Sequence, residues 1–222
     1  MDAIPHEATW REALARPGFR ARAARAAAAL VAAVALLARF LRAVERRPGA
    51  VLADPVLALL PPRDCTWLTF ALIYLGIVCA FALVARRPRL LVAGAEAYVL
   101  LVLARMAVMW VTPLDPPPGM IRLADPLVQG LGGTGEPPTR DLFFSGHTST
   151  LFLFGLVVPG RRARILFFAA AAGVGALVLV QHVHYAVDVF AAPFFAYGAW
   201  RLAESLWPGA ARGARSPQGV KP

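Results

Sequence analysis

Scarcity sets the first limits on this chain. Cysteine occurs twice, at Cys65 and Cys79, histidine four times, and acidic residues number 13 against 23 basic ones. Two cysteines, one of them inside an apolar run, support neither a disulfide framework nor a thiolate metal site, and they leave the redox compartment open. The net charge of +10 raises nucleic acid as a partner. The arginines stand beside hydrophobic segments instead of forming an aromatic-interleaved basic face, so anionic lipid and topology explain them better and no nucleic-acid partner is expected. No internal repeat or pair of broken helices points to a transporter.

What the chain has in abundance is apolar sequence. Its 59% hydrophobic content and mean hydropathy of +0.60 exceed the globular norm. The expected fold is all-α, an integral membrane bundle of six transmembrane helices near residues 26–43, 66–85, 90–112, 142–159, 163–183 and 185–203. Residues 1–25 read as a cytoplasmic or interfacial N-terminal segment, with an interfacial helix over Trp10 to Arg25. Residues 26–207 read as the membrane domain, and 208–222, rich in Gly, Arg, Pro and Lys, as a disordered cytoplasmic tail touching anionic lipid at most. The five arginines of the first 25 residues resemble the start of a secretory signal. No small-residue cleavage site follows before Arg39, Arg42, Arg46 and Arg47, so the first span reads as uncleaved.

With six spans and both termini in the cytoplasm, inner segments hold fifteen Lys and Arg and outer loops six. The discordant group is Arg42, Arg46 and Arg47, which follows the first span on the outer side. The stretch from Ala163 to Trp207 is longer than one crossing needs, and its polar cluster is Gln181 to Tyr185, so the chain turns there. Span four then descends from the outer face and span five climbs back. His147 and His184 meet at one depth although 37 positions separate them.

In "RDLFFSGHT" the helix of span four begins around Ser145, Gly146 and His147. Asp188 follows His184 by four residues, a spacing that stacks the two on one helix face and lets the carboxylate hold an imidazole N–H. Such a bond fixes the tautomer and supports the charge that develops when the other ring nitrogen attacks an electrophile. His147 is then placed to protonate the departing oxygen. Arg105 lies in the outer third of span three, where a guanidinium is costly unless it meets a carboxylate or a phosphate. Ser145 and the amides around Gly146 add donors at a helix start. Each feature has a plainer reading: Gln181, His182 and His184 as turn-backbone partners, Ser145 and Gly146 as a helix start, and Arg105 as the structural partner of Asp141 or Glu96. A second class, metal or haem ligation by His147, His182 and His184, also fits part of the pattern.

Three stretches together, "RMAVMWVTPLDPPPGM" at 105–120, "RDLFFSGHT" at 140–148 and "HVHYAVDV" at 182–189, resemble the sphingomyelin synthase family within the superfamily of integral lipid phosphate phosphatases, the type 2 phosphatidic acid phosphatases. The resemblance covers about half the chain. It implies a six-helix membrane enzyme with no metal or other cofactor, whose triad faces away from the cytoplasm and moves a phosphorylated head group through a phosphohistidine. Carried over by position, His184 is the nucleophile, Asp188 its partner and His147 the general acid, while Arg105 and Asp141 match polar positions of the neighbouring motifs; together with Ser145, Gly146 and Tyr185 these two are expected to bind the substrate. The phosphatase branch has proline after the first-motif arginine, and serine and arginine seven and six residues before the third-motif histidine. Met106, Leu177 and Val178 stand there instead, so the synthase branch fits better.

A phospholipid donor and a lipid alcohol acceptor are therefore expected, with membrane lipid as both solvent and substrate. Water as acceptor gives a phosphatase or phospholipase C type hydrolase instead. The Ala- and Arg-rich character suggests a bacterial inner membrane, with the site facing the periplasm. The segment 113–141 holds seven prolines and five glycines and reads as a stiff connector or as a gate over the site, with Gly130, Gly132, Gly133 and Gly135 offering phosphate-facing amides.

Overall fold

The structure, a computed structural model, describes residues 9–126 and 137–207. The tail and the glycines from Gly130 to Gly135 lie outside the described residues, as does their expected role. Among those described, the helices are α1 (Trp10–Leu14), α2 (Pro17–Val44), α3 (Thr66–Val84), α4 (Pro88–Val111), α5 (Gly146–Val157), α6 (Arg161–Val180) and α7 (Ala186–Leu206), with one 3₁₀ turn at Leu57–Leu59.

Local chemistry sets several boundaries. Thr9 and Glu12 form a reciprocal capping box on α1. Pro17 and Pro88 open α2 and α4, where a missing N–H costs nothing. Pro17 also corrects one expectation: the helix foreseen over Trp10 to Arg25 is broken at Ala15 and Arg16, and its second half belongs to α2.

Four helices, α2, α3, α4 and α6, are long and apolar enough to cross a membrane by length and composition. The stretch foreseen as the fourth span is shorter than expected. Its helix, α5, has 12 residues, about 18 Å at the helical rise and well short of a hydrocarbon core of about 30 Å. Phe143 and Phe144, both at positive φ, keep 142–145 out of the helix. Helix α7 is long enough at 21 residues but carries Asp188, Arg201 and Glu204.

Helix α4 lies between α2 and α7, α5 packs on both α6 and α7, and α3 rests on α6. Small residues allow these approaches. Gly175 on α6 faces Val189 of α7 and Thr148 of α5, and a Cβ there would sit 2.7 Å from Val189 Cγ1. Large apolar side chains such as Trp67, Leu75, Phe81, Phe190 and Phe194 stay exposed on the outer faces, as suits a bundle in lipid.

One end of the bundle is capped by irregular segments tied to one another. Ala50 bridges Leu114, with Ala50 N donating to the Pro113 carbonyl and Asp115 N to the Ala50 carbonyl, both at 3.0 Å. Glu45, at the end of α2, accepts from Thr139 N and Arg140 N at 3.0 Å each. The carboxamide of Gln181 accepts from Cys65 N and donates to Thr66 Oγ1, while Ile121 N donates to the Gln181 carbonyl. The described parts of 113–141 are therefore anchored at both ends. The candidate residues lie just beneath this cap.

Candidate active site

Residues from α4, α5 and the α6–α7 turn converge at the capped end. Ser145 caps α5, its hydroxyl accepting from Thr148 N at 3.4 Å. Its own N–H donates 3.0 Å to the Asp188 carbonyl and so joins the start of α5 to the start of α7. His147 is two residues from that bond and His184 four. Separation in sequence is cancelled by one backbone contact.

The carboxylate–imidazole pair forms as expected, but by a different route. His184 lies in the turn before α7, so it does not share a helix face with Asp188. Asp188 is instead the third residue of α7 and reaches back, its Oδ2 accepting from Tyr185 N at 3.2 Å and meeting His184 Nδ1 at 3.1 Å. Cap and orienter are one carboxylate. With Nδ1–H held by the carboxylate, Nε2 of His184 carries the lone pair. Asp188 is wholly buried and its second oxygen has no partner among the described residues, as is also true of His147 Nδ1. Buried polar atoms without partners are costly, and of these two residues only His147 borders a cavity from which a partner could come.

Arg105, 5% exposed, resolves the choice between its two candidate partners. It pairs with Asp141, Nη2 to Oδ1 at 2.5 Å, while Glu96 is taken by Arg22 at 2.7 and 2.5 Å. Its Nη1 donates 2.6 Å to the Phe144 carbonyl. That carbonyl is aimed by the left-handed pair Phe143 (φ 61°) and Phe144 (φ 51°), a conformation that costs non-glycine residues energy and tends to persist where surroundings enforce it. Phe144 is held by stacking on Phe195 of α7 at 4.3 Å between ring centroids. Gly146 completes the fit, since a Cβ there would lie 2.6 Å from Arg105 Nη1. Burial pushes the Asp141 carboxyl upward, but the Arg105 charge, with smaller contributions from His184 and His147, holds its pKa below the ordinary value. Asp141 thus lies within the field of both imidazoles and the guanidinium.

A cavity of about 270 Å³ opens on part of this group; His184 and Asp188, both buried, are not among the residues that line it. Arg105, Asp141, Gly146 and His147 form its polar side, and Leu37, Ile73, Tyr98 and Phe154 are among its apolar walls. An edge-on contact with Phe70, 6.0 Å between centroids, steadies the His147 ring. Residues 140–205, which carry both histidines, Asp141 and Asp188, match the family described as PAP2 superfamily C-terminal. That match supports the PAP2 superfamily. With the apolar helices, PAP2 superfamily character fits a membrane phosphatase or phosphotransferase and suggests an enzyme of phosphatase type acting on phosphate esters. No curated protein matches the chain.

Two expected substrate residues sit behind the cavity. Tyr185 has no exposed surface, and its hydroxyl donates to the Asp115 carbonyl at 2.9 Å and accepts from Leu52 N at 3.2 Å. Ser145 is equally buried and serves as a cap. His182 parts company with His184. Its backbone is left-handed (φ 56°) and its two ring nitrogens lie 2.9 Å from the carbonyl oxygens of Pro118 and Leu60, so it ties two cap loops together. Among the described residues no group of three His, Cys, Asp or Glu side chains could hold a metal ion.

Sequence reading missed three contributors. Phe144 offers a carbonyl, and aromatic identity says nothing about that. Asp54 accepts from Ala186 N at 2.6 Å, capping α7 across 132 positions. Glu45 holds the strand of chain that carries Asp141. Such long-range partners leave no local signal.

Proposed function

We propose that this protein is a lipid phosphotransferase resembling the sphingomyelin synthases, moving a phospho head group from a phospholipid to a lipid alcohol through a phosphohistidine. The observation that carries the reading is the single cluster of His147, the His184–Asp188 pair and the Arg105–Asp141 pair, beside a cavity with one polar and one apolar side. An amphiphile with a phosphate fits those two sides better than a soluble phosphate ester does.

The chemistry follows from the atoms. His184 Nε2 attacks phosphorus while Asp188 stabilises the developing imidazolium at Nδ1. The bond from phosphorus to the alcohol oxygen breaks, and His147 gives that oxygen a proton. Arg105 faces the non-bridging oxygens, its orientation set by Asp141 and the Phe144 carbonyl. In the second half the acceptor hydroxyl attacks phosphorus, returns its proton to His147, and the phosphorus–nitrogen bond breaks. In this reading the chain crosses the membrane six times, α7 as a helix and the 12-residue α5 together with the non-helical residues 142–145 packed inside the bundle. The site faces the periplasmic side of a bacterial inner membrane, and the termini are cytoplasmic.

Hydrolysis is the second reading, favoured by one observation: the Asp141 side chain at the cavity is 25% exposed, so water has a way in. Purified protein in mixed lipid, given labelled phospholipid with and without a lipid alcohol, separates the two by product. Wild type is expected to yield labelled lipid product, and His184→Ala none. Full turnover by His184→Ala overturns the nucleophile; labelled soluble head group as the sole product overturns transfer and leaves hydrolysis.

A further inference from the structure

We propose that a notch at the opposite end of the bundle binds the phosphate of an anionic phospholipid head group, in the leaflet away from the histidine cavity. The notch, about 250 Å³, lies between α1, the start of α2 and the start of α4, and is lined by Ala13, Arg16, Gly18, Phe19, Arg22 and Arg89. Half of its lining is arginine and none is acidic. Arg22 is neutralised by Glu96, at 2.7 and 2.5 Å. Arg16 and Arg89, both exposed, pair with no carboxylate among the described residues and leave two positive charges at the opening.

Three observations select a lipid over a soluble anion. Phe19 and Ala13 give the notch an apolar wall, and α2 runs on from it as a hydropathic stretch against which acyl chains can lie. The indole of Trp10 donates 2.6 Å to the Ala85 carbonyl, which sets an amphipathic ring at that same end, where membrane interfaces favour tryptophan. Arg89 and Arg105 stand 16 residues apart on α4, about 24 Å along its axis and close to the thickness of a hydrocarbon core. Basic pockets between helices at the interface hold anionic head groups by this combination. The notch does not depend on the phosphotransfer reading, and either can fail alone.

The test is the thermal midpoint of the full chain, titrated with phosphatidylglycerol, phosphatidylcholine or inorganic phosphate in detergent. Phosphatidylglycerol is expected to raise the midpoint and the other two are not. The double variant Arg16→Ala, Arg89→Ala should need roughly 30-fold more phosphatidylglycerol for half the effect. Gly18→Phe should abolish the response without changing charge, because a side chain at Gly18 meets nothing within 4 Å and enters the open notch. Arg161→Ala with Arg162→Ala, which removes the same charge from the start of α6, should leave the response intact. Equal loss in both arginine doubles, a full response in Gly18→Phe, or a matching response to inorganic phosphate overturns the proposal; if the notch double misfolds, Gly18→Phe alone decides.

Discussion

Arg89 and Arg105 stand on one helix 16 residues apart, the first exposed beside an open notch and the second 5% exposed among the histidines. At the notch end, charge is held by side chains of regular helices: Arg22 on α2 meets Glu96 on α4 with no loop involved. At the histidine end each group is held by irregular backbone. Arg105 depends on the left-handed Phe143 and Phe144, and His184 on a turn closed by Asp188. Regular helices set coarse spacing between charges, whereas fixing a guanidinium and two imidazoles at one end of the bundle takes carbonyls and caps that helices do not offer in their interiors.

The sharpest break of this contrast is at Asp188. Asp188→Asn keeps one oxygen to cap Tyr185 N but no longer stabilises an imidazolium, so turnover of labelled phospholipid should fall by about 10³- to 10⁴-fold with the thermal midpoint little changed. A loss under tenfold would remove Asp188 from the chemistry. At the other end, Glu96→Ala strands Arg22 in a part-buried position and should cost about 3 kcal/mol of stability in a denaturant titration, with turnover by the remaining folded protein unaltered. The two variants thus separate an end that reacts from an end that holds. Gly146→Ala drives a Cβ into the Arg105 guanidinium and should lower turnover about 10²-fold through misplacement, while unfolding shifts little. Wild-type rates in that variant would show that Arg105 need not sit where it does.

The smallest effect concerns the cap. Asp115 accepts from Arg140 Nε at 2.6 Å, and that hydrogen bond holds its pKa below the ordinary carboxylate value. A depressed folded pKa gives stability that is present above the unfolded value and lost as pH falls through the folded one. The difference in thermal midpoint between wild type and Asp115→Asn should therefore stay constant from neutral pH to about pH 4 and close below it. Closure near pH 6 would assign the difference to another group.

Asp188 shows how far sequence reading reaches. Spacing paired it with His184, and the pair exists, yet the assumed helix face does not: His184 precedes the helix and Asp188 reaches back to it as a cap. Arg105 in an apolar run announced a buried charge, and the choice between Asp141 and Glu96 needed coordinates, because Asp141 is 36 positions away and meets Arg105 only through the fold, while Glu96 is taken by Arg22. Tyr185 and Ser145 looked like substrate groups by position and sit in the scaffold instead. The 12-residue α5 was masked by continuous apolar sequence, since hydropathy does not register a backbone that turns left-handed at Phe143.

By itself the sequence determined that this is a helical, strongly apolar chain in which a few histidines, an arginine and aspartates stand out, because apolar run length and the rarity of charge within it are local quantities. Which arginine meets which acid, which carbonyl faces the guanidinium and where a second cationic notch opens were decided only by tertiary packing. Those contacts join residues tens of positions apart, and nothing local to either partner encodes the distance between them.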